Sequence, residues 1–450
     1  MLGYNFNLAL KSIKSRMGIT MLMVITIGIG IGLLMTTVTI SYHDQKVPFA
    51  QSSDKLYMVQ MDSRHAGARE VTQPNRLGNL TYRDAVNLFN ADTPASAQTF
   101  NFKVLPILAA QDQQVRPMRG IVDATTASFF DIFEAKFLYG KGWEKDENNA
   151  PVIVLSKKAN EQLFAGANSV GKTISVGTAK ATVIGVLEQW QSQRRVFDGT
   201  YTSQSLDDAF VPYQFAIDTN MRRWQRLRCH PHEYANFNQF VRSDIQGLMN
   251  SECQWVNFWA KLDTKEQAQA YHDFTVQYVT EQKQYGRFVR PILNFVTNID
   301  QQMANFSQRG WTREIEMLSQ LFFFVCLVNA IGMLLTKFMA GTKEVSLRRA
   351  LGAKKKVIML QHLIEVSIIG LFGGLVGVVV SFAGLNLMKY VRWYSSDYTA
   401  DLSVLNSAFQ LDFTMVSVAI GVAVLSTIIV GLYPIWRVVN ISPATQLKGA

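Results

Sequence analysis

The chain has 450 residues, of which 48% are hydrophobic, and a formal net charge of +10. Such a length allows two or three domains. The charge alone could indicate nucleic acid. However, no recognition motif accompanies it and much of it lies beside long apolar segments, so nucleic acid is excluded as an expected partner.

The chain opens with a short amphipathic segment followed by an apolar one. Phe6, Ala9 and Ile13 have helical spacing, which predicts a helix lying in the membrane interface. Ile19–Ile40 contains no charged residue and is long enough to cross the roughly 30 Å hydrocarbon layer. Since no A-x-A-like cleavage site follows, residues 1–42 are predicted to keep this helix as a signal anchor.

Residues 43–312 are polar and are predicted to form a large extracytoplasmic α+β domain, with two subdomains. Alternating apolar residues predict strands at 55–61, 151–155 and 181–187. Capping residues and apolar spacing predict helices at 80–89, 157–164 and 265–282. Residues 298–313 are expected to form a helical stalk leading to the second span.

Two cysteines of this domain, Cys229 and Cys253, could form a disulfide worth roughly 3 kcal/mol in the chain-entropy model. The residues alone leave the oxidised and reduced states open. Cys229 also precedes His230 and His232, a spacing that suits a metal. No second cluster of ligands is evident, so we expect a surface loop and no metal.

Residues 166–173 match the phosphate-binding loop pattern literally. That loop needs a strand before it and a helix after it. Here a predicted helix precedes the segment and a β-rich stretch follows, which predicts a simple turn without nucleotide. No hydrolytic motif accompanies it, and catalysis is not expected.

Three further apolar runs near the C-terminus lack charged residues, namely Leu318–Thr336, Val366–Met388 and Phe413–Trp436. Each can span a bilayer as a helix. The sequence therefore predicts a membrane protein with four transmembrane helices, one before the large domain and three after it in residues 313–450.

The segment Lys343–Lys356 between two of these runs is strongly basic. Val345, Leu347 and Leu351 are predicted to share one face of a helix over 343–353, which Gly352 ends. Basic residues beside span ends mark the cytoplasmic side. This segment and both termini are therefore predicted to be cytoplasmic, with the large domain outside.

Small residues recur in the spans at helix-packing spacing. The glycines concerned are Gly28, Gly32, Gly370, Gly373, Gly374 and Gly377. They could pack the spans of one chain, which is the simpler interpretation, or form a dimer interface. Asn329 is expected to hydrogen-bond a neighbouring helix.

Several motifs together resemble those of MacB/FtsX-type ABC transporter permeases. They are residues 326–335, 343–353, 361–365 and 433–447 of the membrane part, and residues 130–142, 152–156 and 170–174 of the large domain. The resemblance covers nearly the whole chain and is weakest over about 190–300.

This resemblance implies a permease without a fused ATPase domain, working with a separate cytoplasmic ABC ATPase that binds ATP and magnesium. The chain itself would hold no cofactor. A second copy or a paralogue would complete a dimer in the lipid bilayer of a bacterial inner membrane. By the family pattern, the residues that dock the ATPase are Glu344, Leu347, Arg348, Arg349, Leu351 and Gly352.

The resemblance also implies a mode of action, called mechanotransmission, in which ATP-driven motion reaches the periplasmic domain. Peptides, toxins and antibiotic-like compounds are the expected export substrates, with an adaptor and an outer-membrane channel as further partners. Two alternatives stay open. One is a lipoprotein-releasing permease, and the other is an FtsX-like signalling scaffold that controls a cell-wall hydrolase.

Overall fold

The computed structural model describes residues 2–45, 52–71, 77, 79–111, 115–188, 207–224, 227–230, 245–302, 311–395, 406 and 413–440. The chain forms two compact units. Residues 1–45 and 307–450 form one, called here the membrane unit. Residues 46–306 form the other, called the inserted domain because it lies between the first two spans in sequence.

The helices follow in chain order. They are α1 Leu2–Ser15, α2 Met17–Gln45, α3 Tyr82–Asn90, α4 Phe129–Ile132, α5 Lys157–Phe164, α6 Tyr213–Asp218, α7 Ile245–Met249, α8 Lys265–Gln284, α9 Trp311–Met339, α10 Thr342–Ala350, α11 Lys355–Ser395 and α12 Phe413–Val439.

The strands belong to the inserted domain. They are β1 Leu56–Met61, β2 Leu80–Thr81, β3 Ala97–Val104, β4 Ile107–Ala110, β5 Met118–Arg119, β6 Val122–Thr125, β7 Phe137–Gly140, β8 Val152–Leu155, β9 Thr173–Val176, β10 Ala179–Leu187, β11 Ala209–Pro212, β12 Gln254–Lys261 and β13 Asn294–Asn298.

Local capping explains where the helices of the inserted domain begin. The hydroxyls of Thr81, Ser156 and Thr264 accept hydrogen bonds from backbone N–H groups in the first turns of α3, α5 and α8. At α8 the Gln267 side chain also bonds back to the backbone of Thr264, which completes a capping box. These three helices begin within two residues of their predicted starts because the signal is local.

The thirteen strands of the described residues hydrogen-bond into one sheet with the order β13-β1-β12-β3-β6-β11-β8-β10-β9-β4-β5, while β2 pairs with β12 and β7 with β10. Most neighbours are antiparallel, but β8 pairs with β10 and β6 with β11 in parallel. Large aromatic side chains such as Trp255 and Trp259 are fully buried along β12. A seam between two subdomains stays a prediction.

Within the described part of the chain, four helices of the membrane unit are long and apolar enough to span a bilayer, at Met17–Tyr42, Glu314–Met339, Lys355–Val391 and Phe413–Val439. The predicted arrangement of one span, a large domain and three spans is confirmed. The third span, helix α11, is longer than the apolar run Val366–Met388, since it continues to Ser395.

The predicted stalk is only partly described. Asn298 ends strand β13, which pairs with β1, so helical structure starts later, at 299–302. The following residues, 303–310, lie outside the described residues, and α9 begins at Trp311. The stalk as a continuous helix therefore stays a prediction.

Candidate functional site: the basic helix and its contacts

The basic segment forms the short helix α10 between the second and third spans. It ends as its sequence predicts, because Gly352 adopts a left-handed φ of +97°. The N–H groups of Gly352 and Ala353 donate to the carbonyl oxygens of Arg349 and Arg348. This pair of bonds is the Schellman arrangement, which satisfies the last carbonyls and turns the chain sharply into α11.

The two faces of α10 differ from the prediction at one residue. Leu347 and Leu351 project outward with 53% and 80% of their surface exposed. Val345, predicted to share their face, instead turns inward and packs against the apolar core of the membrane unit. The reason is geometric, because residues two apart on a helix point about 200° apart.

The two arginines of α10 attach this helix to the third and fourth spans. The Arg348 guanidinium donates to the side-chain oxygen of Gln361 on α11 at 3.0 Å and also pairs with Glu344 one turn earlier. Arg349 donates to the carbonyl oxygen of Val439, at the end of α12, at 3.0 Å. The arginines thus hold the helix in place while the leucines remain on the surface.

The glycine rows lie where spans of the same chain approach each other. A Cβ atom added at Gly28 or Gly32 would lie 2.5 Å from Val376 or Val380 of α11. On α11, the other glycines face two helices. Gly373 and Gly377 meet isoleucines of α2, whereas Gly370 and Gly374 meet α12. These glycines therefore pack spans of the same chain against one another and are not available to form a dimer interface.

Asn329 lies exposed on the surface of α9. Sequence does not specify which face of a uniformly apolar helix is covered, and the predicted interhelical hydrogen bond stays a prediction. Cys326, one turn earlier, is buried against Gly30 of α2.

Two charged residues that border the apolar runs were missed as site residues. Lys337 and Glu365 form an ion pair with Nζ and Oε1 2.7 Å apart and with side chains only 1% and 0% exposed. Both stand one residue outside the predicted charge-free runs, Leu318–Thr336 and Val366–Met388. A sequence signal for this pair exists. Two consecutive, antiparallel spans carry opposite charges at the ends that face each other, which indicates that the charges can pair.

The inserted domain contains the disulfide that the spacing allowed. Cys229 and Cys253 are bonded, with a sequence separation of 24. The adjacent His230 ring lies 2.8 Å from the carbonyl oxygen of Ser63, and His232 lies outside the described residues. Within the described ranges, no group of three potential ligands could hold a metal ion.

The phosphate-loop match forms a turn between α5 and β9. The N–H of Gly171 donates to the carbonyl oxygen of Val183, and the N–H of Lys172 donates to that of Ser169. The ammonium of Lys172 lies over the ring of Phe164 at 4.9 Å. Since these backbone donors are already used within the domain, the segment lacks the open cradle that a phosphate requires.

Comparisons with known proteins agree with this architecture. A profile of the MacB-like periplasmic core domain matches residues 20–273, and one of the FtsX-like permease C-terminal matches residues 317–443. "Macrolide export ATP-binding/permease protein MacB" of Syntrophobacter fumaroxidans is 24% identical over 394 residues, 76% of this chain and 50% of that protein. "Uncharacterized ABC transporter permease YvrN" of Bacillus subtilis is 20% identical over 331 residues, 71% of this chain and 68% of that protein.

The chain spans about half the length of the MacB relatives that it matches. Among solved structures, the periplasmic region of MacB from Actinobacillus actinomycetemcomitans aligns with 57% of this chain and 95% of its own, at 15% identity and a TM-score of 0.35.

Proposed function

Because the chain belongs to the family of ABC transporter permeases with a MacB-like periplasmic core and an FtsX-like permease domain, we propose that it is the membrane subunit of an ATP-driven exporter. The matches confirm the resemblance carried by the sequence motifs. The matched residues cover nearly all of the four spans and most of the inserted domain, up to residue 273. ATP and magnesium would be bound by the ABC ATPase with which such a permease works.

The observation that carries this proposal is the construction of α10. Leu347 and Leu351 are exposed apolar side chains on a helix that Arg348 and Arg349 fix to the spans. An exposed apolar pair on a rigidly held helix suits insertion into a groove of a partner protein. In this arrangement the ATPase binds the leucines, and its motion passes through the arginines to the spans.

The charge distribution supports an orientation for the membrane unit. Basic residues cluster at the end of the spans that bears α10, from Lys337 to Lys356. By the positive-inside rule this end, together with both termini, faces the cytoplasm of a bacterial inner membrane. The inserted domain then faces the periplasm, where its disulfide would persist.

Export by mechanotransmission suits the packing of the spans. The first span meets the third so closely that a single Cβ at Gly32 would collide with Val380. Helices in such contact leave little room for a polar passage between them. Movement of the inserted domain would therefore drive the export of peptides, toxins or antibiotic-like compounds. Its partners would be a second permease copy or paralogue, an adaptor and an outer-membrane channel.

The test is to replace Leu347 with Asp in the full chain and purify it with the ABC ATPase that accompanies the unaltered chain, identified by mass spectrometry. A buried carboxylate is unfavourable in an apolar groove. We expect the ATPase to be lost from the complex and permease-stimulated ATP hydrolysis to fall to the level of the ATPase alone.

Leu138→Asp provides the matched control, because Leu138 is an equally apolar and 44% exposed side chain in the inserted domain. This variant should keep both the ATPase and its stimulation. If Leu347→Asp also kept them, α10 would not be the docking element.

A further inference from the structure

A group of polar side chains, all buried except the half-buried Ser12, lies at the end of the membrane unit that bears α10. Its members are Ser12 of α1, Thr20 of α2, Lys337 of α9, and His362 and Glu365 of α11, called here the buried charge cluster. Helices α1, α2, α9 and α11 each contribute at least one side chain. The hydrogen bonds Ser12–Glu365 and Thr20–Lys337 each join residues that are more than 300 positions apart in the sequence.

The two charges of this cluster are paired with each other and hydrogen-bonded to their neighbours. Glu365 accepts hydrogen bonds from the hydroxyl of Ser12 at 2.8 Å and from Lys337 at 2.7 Å, and its second oxygen lies 3.2 Å from Nδ1 of His362. Lys337 also donates to the hydroxyl of Thr20 at 2.8 Å. A buried charge is tolerated only when it is paired and hydrogen-bonded in this way.

The cluster is continuous with α10 along two routes. On α11, the side chain of Gln361 accepts a hydrogen bond from Arg348 and precedes Glu365 by one helical turn. At the end of α9, the Arg16 guanidinium donates to the carbonyl oxygens of Lys337 and Ala340, at 2.8 and 2.6 Å, just before α10 begins. A displacement of α10 therefore acts directly on residues that contact α1 and α2.

We propose that Lys337 and Glu365 are positioning residues that transmit the movement of α10 to α1 and the first span. This inference rests on the proposed function, since the movement comes from a docked ATPase. The physical reason is that neither charge can leave the other without remaining unpaired in an apolar interior. Helices α9 and α11 must therefore move together at this end, whereas apolar side chains could slide past one another. The hydroxyl hydrogen bonds of Ser12 and Thr20 attach α1 and α2 to this pair.

Stability and transmission can be separated by replacing both charges. A buried ion pair can often be replaced by neutral side chains of similar size without loss of stability. The double variant K337M/E365Q should therefore fold and retain the ATPase. We expect its stimulated ATP hydrolysis to fall roughly tenfold, within the range of energetic coupling between sites, while its melting temperature in lipid nanodiscs changes little.

The reversed pair K337E/E365K tests the charge interaction itself. The hydroxyls of Ser12 and Thr20 can both donate and accept, so either orientation of the pair can be hydrogen-bonded. We expect stimulation to recover to within about twofold of the unaltered complex. An assembled reversed complex that stays uncoupled would overturn the proposal, as would normal stimulation in the double neutral variant.

Ser12→Ala tests the contact with α1 while both charges remain paired, so folding is retained. Ser15→Ala is its matched control, because Ser15 is exposed and its hydroxyl bonds only within α1, to the carbonyl oxygen of Ser12. We expect Ser12→Ala, and not Ser15→Ala, to lower stimulation severalfold; equal stimulation in both would overturn the proposal. If the unaltered chain itself neither binds nor stimulates an ATPase, the proposed function fails instead.

Discussion

Asp62 of the inserted domain shows how a single buried carboxylate is held ionised. It accepts hydrogen bonds from Nε of Arg64 at 2.6 Å and from Nε of Arg290 at 3.1 Å. Burial by itself acts to raise the pKa of Asp62, but the hydrogen bonds and charge of Arg64, with help from Arg290, outweigh it and lower the pKa. The carboxylate therefore links the end of β1 to the segment before β13.

This lowered pKa predicts a dependence of stability on pH. The contribution of Asp62 is fully present above the ordinary carboxyl pKa of 3.8 and is lost as the pH falls through the lower folded-state value. Asp62→Asn should lower the melting temperature at neutral pH by roughly 5 °C, and the difference should shrink in acid. The fluorescence of the buried Trp255 and Trp259 can follow unfolding of the full chain in detergent.

The control for this measurement is Asp92→Asn, because Asp92 is an exposed residue of the same domain. It should leave the melting temperature unchanged at every pH. An Asp62→Asn difference that persisted undiminished in acid would contradict the assigned ionisation.

Lys172 permits a second prediction at the residue scale. Its ammonium contacts the Phe164 ring and its N–H bonds to Ser169, so it is a structural residue of a turn. Lys172→Ala should leave ATP binding and stimulated ATP hydrolysis of the complex unchanged, with a stability loss of about 0.5–1 kcal/mol. Loss of ATP binding, measured with a fluorescent nucleotide, would show that the phosphate-loop match is functional.

At the scale of elements, the main feature is the contact between α2 and α11. Glycines of both helices interdigitate with branched side chains of the other, so that Gly28 and Gly32 face Val376 and Val380. Close backbone approach replaces the hydrophobic effect as the source of helix association within a bilayer. The first span is thus fixed to the third, although the whole inserted domain separates them in sequence.

Gly32→Ala tests this contact. The added Cβ would lie 2.5 Å from Cβ of Val380 and 3.0 Å from the carbonyl oxygen of Gly377, where little can move aside. We expect a loss of about 2 kcal/mol, seen as a lower melting temperature of the membrane unit in nanodiscs. Gly421→Ala is the matched control, since no atom lies within 4 Å of its added Cβ; equal melting of both variants would contradict the packing.

At the scale of the whole molecule, charged residues are absent from the apolar runs of the spans, and basic residues are concentrated at one end of them. The apolar runs of the four spans contain no charged residue, and Lys337 and Glu365, just outside two of these runs, pair with each other. The remaining basic residues of 343–356 are mostly exposed at that end. This distribution favours one orientation in the bilayer over its reverse.

The orientation can be tested with single cysteines at exposed lysines. Lys265→Cys should react with a membrane-impermeant maleimide in cells stripped of their outer layers, whereas Lys356→Cys should react only after the membrane is opened. The native cysteines give little background, because Cys326 is buried and the other two are bonded. The opposite labelling pattern would reverse the topology and remove the basis for a cytoplasmic ATPase at α10.

The sequence by itself determined the features that depend on neighbouring residues. The number and order of the spans follow from apolar length, and the starts of α3, α5 and α8 follow from capping residues a few positions away. The left-handed end of α10 likewise follows from Gly352. Such signals are local, so they can be read before any tertiary contact is known.

Only the tertiary structure decided which faces meet. It turned Val345 inward and Asn329 outward, directed the glycines of the first span at the third, and brought Lys337 and Glu365 together. Each of these outcomes depends on contacts between residues far apart in the chain. A uniformly apolar helix carries no periodic signal for its covered face, and a charge at its end does not identify its partner.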